Sequence, residues 1–190
     1  MSRPAAPAGV LLRLMAEADL GAYKQLRDSM LAAHEDAFTS DAATERHREA
    51  QSYRGRVSGP AGRGGVFTLC AWQGPRMVGA VSCEQESRLK QRHVVQVVGM
   101  MVADDCQGLG IGRALLQSAL QLLRCDESLE MAVLSVTSSN ASAVKLYESL
   151  GFAPYGRLLR AIRLPSGEYL DKSLMYLDLR PAASPTMPPP

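Results

Sequence analysis

The stretch Val97-Val98-Gly99-Met100-Met101-Val102-Ala103-Asp104-Asp105-Cys106-Gln107-Gly108-Leu109-Gly110-Ile111-Gly112-Arg113 decides how the rest of the chain is read. Its apolar first part predicts a buried strand, His93 to Val102, covered on both faces. Its end opens a segment with Leu116, Leu120 and Leu123 on one face, which predicts a helix to about Arg124. Between them Gly108, Gly110 and Gly112 alternate. Glycine permits positive φ and close approach, so successive amides of such a turn can converge on one point. The following helix adds free N–H groups and about half a positive charge at its N-terminus. Together these make a site for a phosphate or diphosphate, and Arg113 in the first turn can add a charge-assisted contact. A tight strand-to-helix turn with a solvated Arg113 is the plainer reading of the same residues.

Two nucleotide motifs are excluded by the residues present. A P-loop needs Gly-Lys followed by Ser or Thr, and no Gly-Lys pair occurs in the chain. A dinucleotide fingerprint counted from Gly110 needs a glycine where Leu115 stands, and the next strand ends in Ser135-Val136-Thr137, without a ribose-binding carboxylate.

Outward from this stretch, strand and helix patterns alternate. Val10 to Met15 reads as a short strand. Leu20, Tyr23, Leu26, Met30 and Leu31 recur at helical spacing behind Asp19 as a cap. Asp41 to about Arg56 reads as a second helix with a thin apolar face. Val66 to Trp72 and Met77 to Cys83 are strands joined by Gly74-Pro75. Downstream come a strand at Met131 to Val136, a helix carrying Ala143, Leu146, Tyr147 and Leu150, and a capping glycine at Gly151. A terminal hairpin follows at about Gly156 to Leu164 and Glu168 to Leu179. The sum is α/β with a mixed sheet.

At 190 residues the chain suits one domain, and 46% hydrophobic residues supply a core. Residues 1–9 read as a flexible N-terminus, 10–180 as the domain, and the proline-rich 181–190 as a disordered tail. Ser58 to Gly65 reads as a loop. With 21 basic and 19 acidic residues the formal charge is +2, which argues against nucleic-acid binding. No apolar run approaches the roughly 18 residues of a membrane span, nor does the N-terminus read as a secretion signal, so a soluble cytoplasmic protein is expected. Cys70, Cys83, Cys106 and Cys125 are scattered, giving neither a zinc pattern nor a disulfide framework; no metal is expected.

The spacing Gln107-x-x-Gly110-x-Gly112 resembles the acetyl-coenzyme A pyrophosphate loop of the GNAT superfamily of N-acetyltransferases. A second segment about 30 residues further on strengthens the likeness: Thr137-Ser138-Ser139-Asn140, then Ala143-Val144-Lys145-Leu146-Tyr147-Glu148 and Leu150-Gly151-Phe152. His34-Glu35-Asp36-Ala37-Phe38 is similar to small bacterial members. The resemblance implies a mostly antiparallel central sheet of about six or seven strands flanked by about four helices. It also implies acetyl-CoA as cosubstrate. Backbone of Met100, Met101 and Val102 would then pair with the pantetheine arm, and amides of Gln107, Gly108, Leu109, Gly110, Ile111, Gly112 and Arg113 would hold the pyrophosphate. Asn140 would contact the cofactor near its reacting end, and Tyr147 would sit by the sulfur. Asn140 as a simple N-cap and Tyr147 as a core residue remain open beside these roles.

The implied chemistry is acetyl transfer to a primary amine of a small molecule or peptide, by direct attack in a ternary complex. A backbone N–H of the Met100–Val102 strand would stabilise the oxyanion and Tyr147 would protonate the leaving thiolate. The base is open among Glu84, Glu86 and a water relay, because the strand before the glycines offers Gln96 and no carboxylate. Two alternatives stand beside this function: a protein acetyltransferase acting on N-termini or lysines, and a non-catalytic acetyl-CoA sensor. An exposed edge on the last strands would allow a homodimer.

Overall fold

The computed structural model describes residues 6–57 and 66–180. The loop read at Ser58 to Gly65, the tail at 181–190 and the first five residues lie outside that range. Seven strands form one mixed sheet: β1 (Leu11–Leu14), β2 (Phe67–Gln73), β3 (Arg76–Gln85), β4 (Val94–Val102), β5 (Met131–Thr137), β6 (Ala153–Arg163) and β7 (Tyr169–Asp178). Their order is β1-β2-β3-β4-β5-β7-β6, antiparallel throughout except for β4 and β5, which run parallel. Four α-helices are described: α1 (Leu20–Ala33), α2 (Ala42–Arg46), α3 (Ile111–Arg124) and α4 (Ala141–Ser149). The expected mixed, mostly antiparallel sheet is therefore present.

The sheet is covered on both faces. A Cβ added at Gly79 would meet Leu115 and Ile111 of α3, whereas Ser82, three residues on and on the opposite face, lies by Tyr23 of α1 at Gly99. Alternation along β3 thus assigns one helix to each face. Tyr23, Leu26, Met30 and Leu31 bury the inner side of α1, and Leu115, Leu116 and Leu123 that of α3. Gly151, at φ +94°, ends α4, with its amide bonded to the Glu148 carbonyl and that of Phe152 to Tyr147.

Three local expectations are corrected. Asp19 does not cap α1 through its side chain; both its oxygens take Arg13, and one also accepts the Ala16 amide at 2.8 Å. An ion pair outcompetes a single capping bond there. The helix expected from Asp41 to Arg56 is broken into α2, capped by Asp41 through Thr44 N at 2.7 Å, and a 3-10 segment at Ala50–Arg56. Its anchor is polar: buried Glu45 accepts from Arg27, Arg48 and the Tyr53 hydroxyl, so no continuous apolar stripe holds one long helix. Finally, β4 is not buried on both faces; Gln96 is exposed and most of the strand from Val98 onward is half-buried, because the sheet opens beside it.

Candidate functional site

The opening follows from the strand register. β4 and β5 pair only over Val94–Met131, Val95–Ala132 and Gln96–Val133. Beyond that point β5 continues with β7 to Thr137, while β4 continues with β3 to Val102. The sheet splits into a V, and the edge of β4 over residues 97–102 is left without a strand on its β5 side. Inside the V, β4 bulges: Ser82 faces Val98 and Ala80 faces Met101, so Gly99 and Met100 oppose the single residue Val81. Gly99 sits at φ +58°. A bulge re-aims backbone groups out of the ladder, and a glycine inside a strand is its sequence signal.

Past β4 the chain makes a 3-10 turn at Asp104–Cys106 and then the glycine turn into α3. Gly108 and Gly110 have φ of +75° and +80°, a region costly for residues with a Cβ, whereas Gly112 is already helical. None of the amides of Gly108, Leu109, Gly110, Ile111, Gly112 or Arg113 bonds to a described residue; the first helical bond is Ala114 N to Gly110 O at 3.0 Å. The Gln107 amide is committed to the Asp104 carbonyl at 3.2 Å, so the run of free donors starts one residue later than the motif suggests. The Gln107 side chain instead braces the turn, donating to Asp104 Oδ1 at 2.8 Å, an oxygen that also meets His34 Nε2 at 2.6 Å. That link ties the end of α1 to the glycine turn.

These elements wall a cleft of about 690 Å³. Met100, Met101 and Val102 form one side, and Gly108, Gly110, Ile111, Gly112 and Arg113 form its head. Asn140 and Leu146 close it from α4, and the Asp36–Phe38 loop from α1. The sequence reading gave this loop no role, although its likeness was legible. Leu109 is exposed and lies outside the lining, offering only its amide. Asn140 caps α4, its Oδ1 accepting Ala143 N at 3.1 Å and Ser142 Oγ at 3.0 Å, and its carboxamide NH2 is left for the cleft. Arg113 lines the head while donating to Ser149 at 2.8 Å.

Tyr147 and Glu84 are less directly placed. Tyr147 is buried edge-on to Phe152, outside the lining, and burial pushes its phenol up to about 12. Glu84 also lies outside the lining; its carboxylate pairs with Arg56 Nε at 2.9 Å. Glu86 accepts from Gln96 nearby. The structure therefore gathers the backbone of residues 100–102 and 108–113 with Asn140, and leaves both Tyr147 and Glu84 outside the lining. Among the described residues no group of three His, Cys, Asp or Glu side chains could hold a metal, and no helix is long and apolar enough to cross a membrane.

Comparison with known proteins gives consistent results. The sequence profile of the acetyltransferase (GNAT) family matches residues 25–152. The chain is similar to N-alpha-acetyltransferase 30 of Schizosaccharomyces pombe, 29% identical over 94 residues, which is 50% of this chain and 62% of that protein. It is similar to an L-methionine sulfoximine/L-methionine sulfone acetyltransferase of Pseudomonas aeruginosa, 34% identical over 83 residues, 44% of this chain and 47% of that one. The match thus spans between about half and three-fifths of these relatives. Among solved structures, yncA of Salmonella typhimurium with its cofactor acetyl-CoA superposes with a TM-score of 0.76 at 23% identity, over 94% of this chain and 98% of that chain.

Proposed function

The chain belongs to the acetyltransferase (GNAT) family, and from that premise we propose that it is an N-acetyltransferase moving the acetyl group of acetyl-CoA to a primary amine of a small molecule or peptide. One observation carries the reading. Six consecutive free amides, Gly108 to Arg113, stand at the head of a cleft that splits the sheet beside an unpaired strand edge. These residues fit the cosubstrate: converging N–H groups and a helix N-terminus for a diphosphate, and a strand edge for the amide-bearing pantetheine arm. Bound acetyl-CoA supplies a thioester, an acyl group already activated for attack.

The chain's own residues do the remainder. Amides of Gly108 to Arg113 hold the diphosphate and Arg113 adds charge. Met100 to Val102 pair with the arm, and the Asn140 NH2 fixes its reacting end. A backbone N–H of the Met100–Val102 strand, which lines the cleft beside the bulge, meets the oxygen that gains charge as the amine adds, a contribution of the oxyanion-hole kind. Tyr147, on the helix that closes the cleft but buried behind its lining, is the group we assign to return a proton to the departing sulfur as the cosubstrate seats against α4; with its pKa at about 12 the phenol stays protonated at neutral pH. Glu84 is held by Arg56 outside the cleft, so the proton of the amine leaves through water, with Asp36 the carboxylate among the lining residues. Holding both partners in one cleft supplies the entropic part of the acceleration.

The test is release of coenzyme A thiol against a panel of amines, amino acids and peptides. Release with any acceptor supports the proposal. Tight coenzyme A binding with no release across the panel would refute it and favour a sensor.

A further inference from the structure

Lys172 of β7 is a cation with an unusual set of neighbours. It pairs across the sheet with Thr137, the last residue of β5 inside the V. Its Nζ donates to the Thr39 hydroxyl and lies 3.5 Å from Ser135 Oγ. Among the described residues it makes no ion pair. Burial alone draws its ammonium below lysine's ordinary value, the direction expected of a half-buried cation with no counter-ion beside it. Each hydroxyl that accepts from Nζ still has its own proton to donate. One cation and two hydroxyls thus form a small nest of donors.

The nest has a definite position. Thr137 Oγ1 donates to the Asp36 carbonyl at 2.8 Å, pinning the Asp36–Ser40 loop over the end of β5. Phe38 of that loop lines the acetyl-CoA cleft on one side and, on the other, a second pocket of about 350 Å³. Thr39, the partner of Lys172, lines the second pocket, whose apolar walls are Phe38, Ile162, Leu164 and Pro165. Lys172 and Ser135 themselves line neither cavity; Lys172 reaches the second pocket through Thr39, next to Phe38, the residue the two cavities share.

Resting on the acetyltransferase reading above, we propose that the acceptor is a free α-amino acid, whose carboxylate binds Lys172 with the Thr39 and Ser135 hydroxyls. In an α-amino acid the amine and the carboxylate share one carbon. A carboxylate on Lys172 then leaves the amine at the mouth of the cleft and directs the side chain into the 350 Å³ pocket. Glu35 and Asp41, also in that pocket, disfavour an acidic side chain. Asp41 is already engaged as the α2 cap.

The test compares matched acceptors, L-leucine against L-leucinamide and L-methionine against L-methioninamide, by coenzyme A release. The amides are the better nucleophiles in water, because their amines are more fully deprotonated, so a preference for the acids must come from the protein. The acids are expected to lead by about tenfold or more in kcat/KM, as befits a hydrogen bond to a charged group. Lys172→Met should raise KM for the acids about tenfold to a hundredfold with kcat retained, whereas Lys172→Arg should restore part of the difference. Amides transferred as well as acids by the wild type, or an equal loss of kcat on both in Lys172→Met, would overturn the proposal while leaving acetyl transfer intact. Acetylation of Lys172 itself, seen by mass spectrometry, would also overturn it. If no acceptor is turned over, calorimetric titration of the same pairs into the coenzyme A-bound protein decides: acid-selective binding lost in Lys172→Met supports the subsite, and no selectivity refutes it.

Discussion

Replacing Gly110 by alanine separates strain from ligand binding. At φ +80° a Cβ costs about 1–2 kcal/mol, yet nothing lies within 4 Å of where it would sit, so no clash adds to that figure. The variant can remain left-handed and lose this much stability, or relax φ and swing the Gly110 and Ile111 amides away from the point where the donors converge. In the first case the melting temperature falls by roughly 2–8 °C, taking about 2–4 °C per kcal/mol for a chain of this size. In the second, a lost hydrogen bond to a charged group costs about 1.5–3 kcal/mol, or roughly 10- to 150-fold in Kd for coenzyme A. Gly112→Ala is the control. Gly112 is helical, where alanine is favoured by about 1 kcal/mol, and the nearest atom to a new Cβ is the mobile Met100 methyl at 3.2 Å. Calorimetric titration with coenzyme A and thermal melts of both variants read the two quantities. Wild-type affinity and melting in Gly110→Ala, or equal damage in Gly112→Ala, would refute the reasoning.

Other outcomes follow from single contacts. Tyr147→Phe should slow turnover about a hundredfold or more without weakening coenzyme A binding; unaltered turnover across pH would remove the phenol from the chemistry. Burial acts first to raise the Glu45 carboxyl, but bonds from Tyr53, Arg27 and Arg48 outweigh it and hold it at about 2 against an unfolded 4.5. That difference contributes about 3 kcal/mol, fully present above the unfolded value and lost as pH falls from 4.5 toward 2, so acid melts should show it. Glu45→Gln should flatten that acid limb and lower stability by about 3–5 kcal/mol, because Arg27 is left buried without its partner. A thiol reagent should label Cys125 quickly in the native protein, since it is exposed. Cys70, pushed up to about 12 by burial, and Cys83, raised by complete burial, should react only on unfolding.

What the sequence determined by itself was the local geometry. Alternating glycines behind an apolar strand and ahead of an amphipathic helix specify a turn with free amides, whatever surrounds it, because positive φ and helix ends are properties of a few adjacent residues. For the same reason Asn140 as a cap, the helix it opens and the Gly151 stop were legible in the chain. The tertiary structure decided what lies between distant segments. Pairing of β4 with β5 stops after three residue pairs, and nothing in either strand's composition announces that stop. Glu84 is a candidate base in the sequence, but its partner Arg56 comes from a segment nearly 30 residues earlier. Likewise Lys172 is an ordinary strand lysine until the Asp36–Ser40 loop and β5 bring two hydroxyls to it. Charge and hydrogen bonding act through space, so partners far apart in the chain become readable only once the fold has set them side by side.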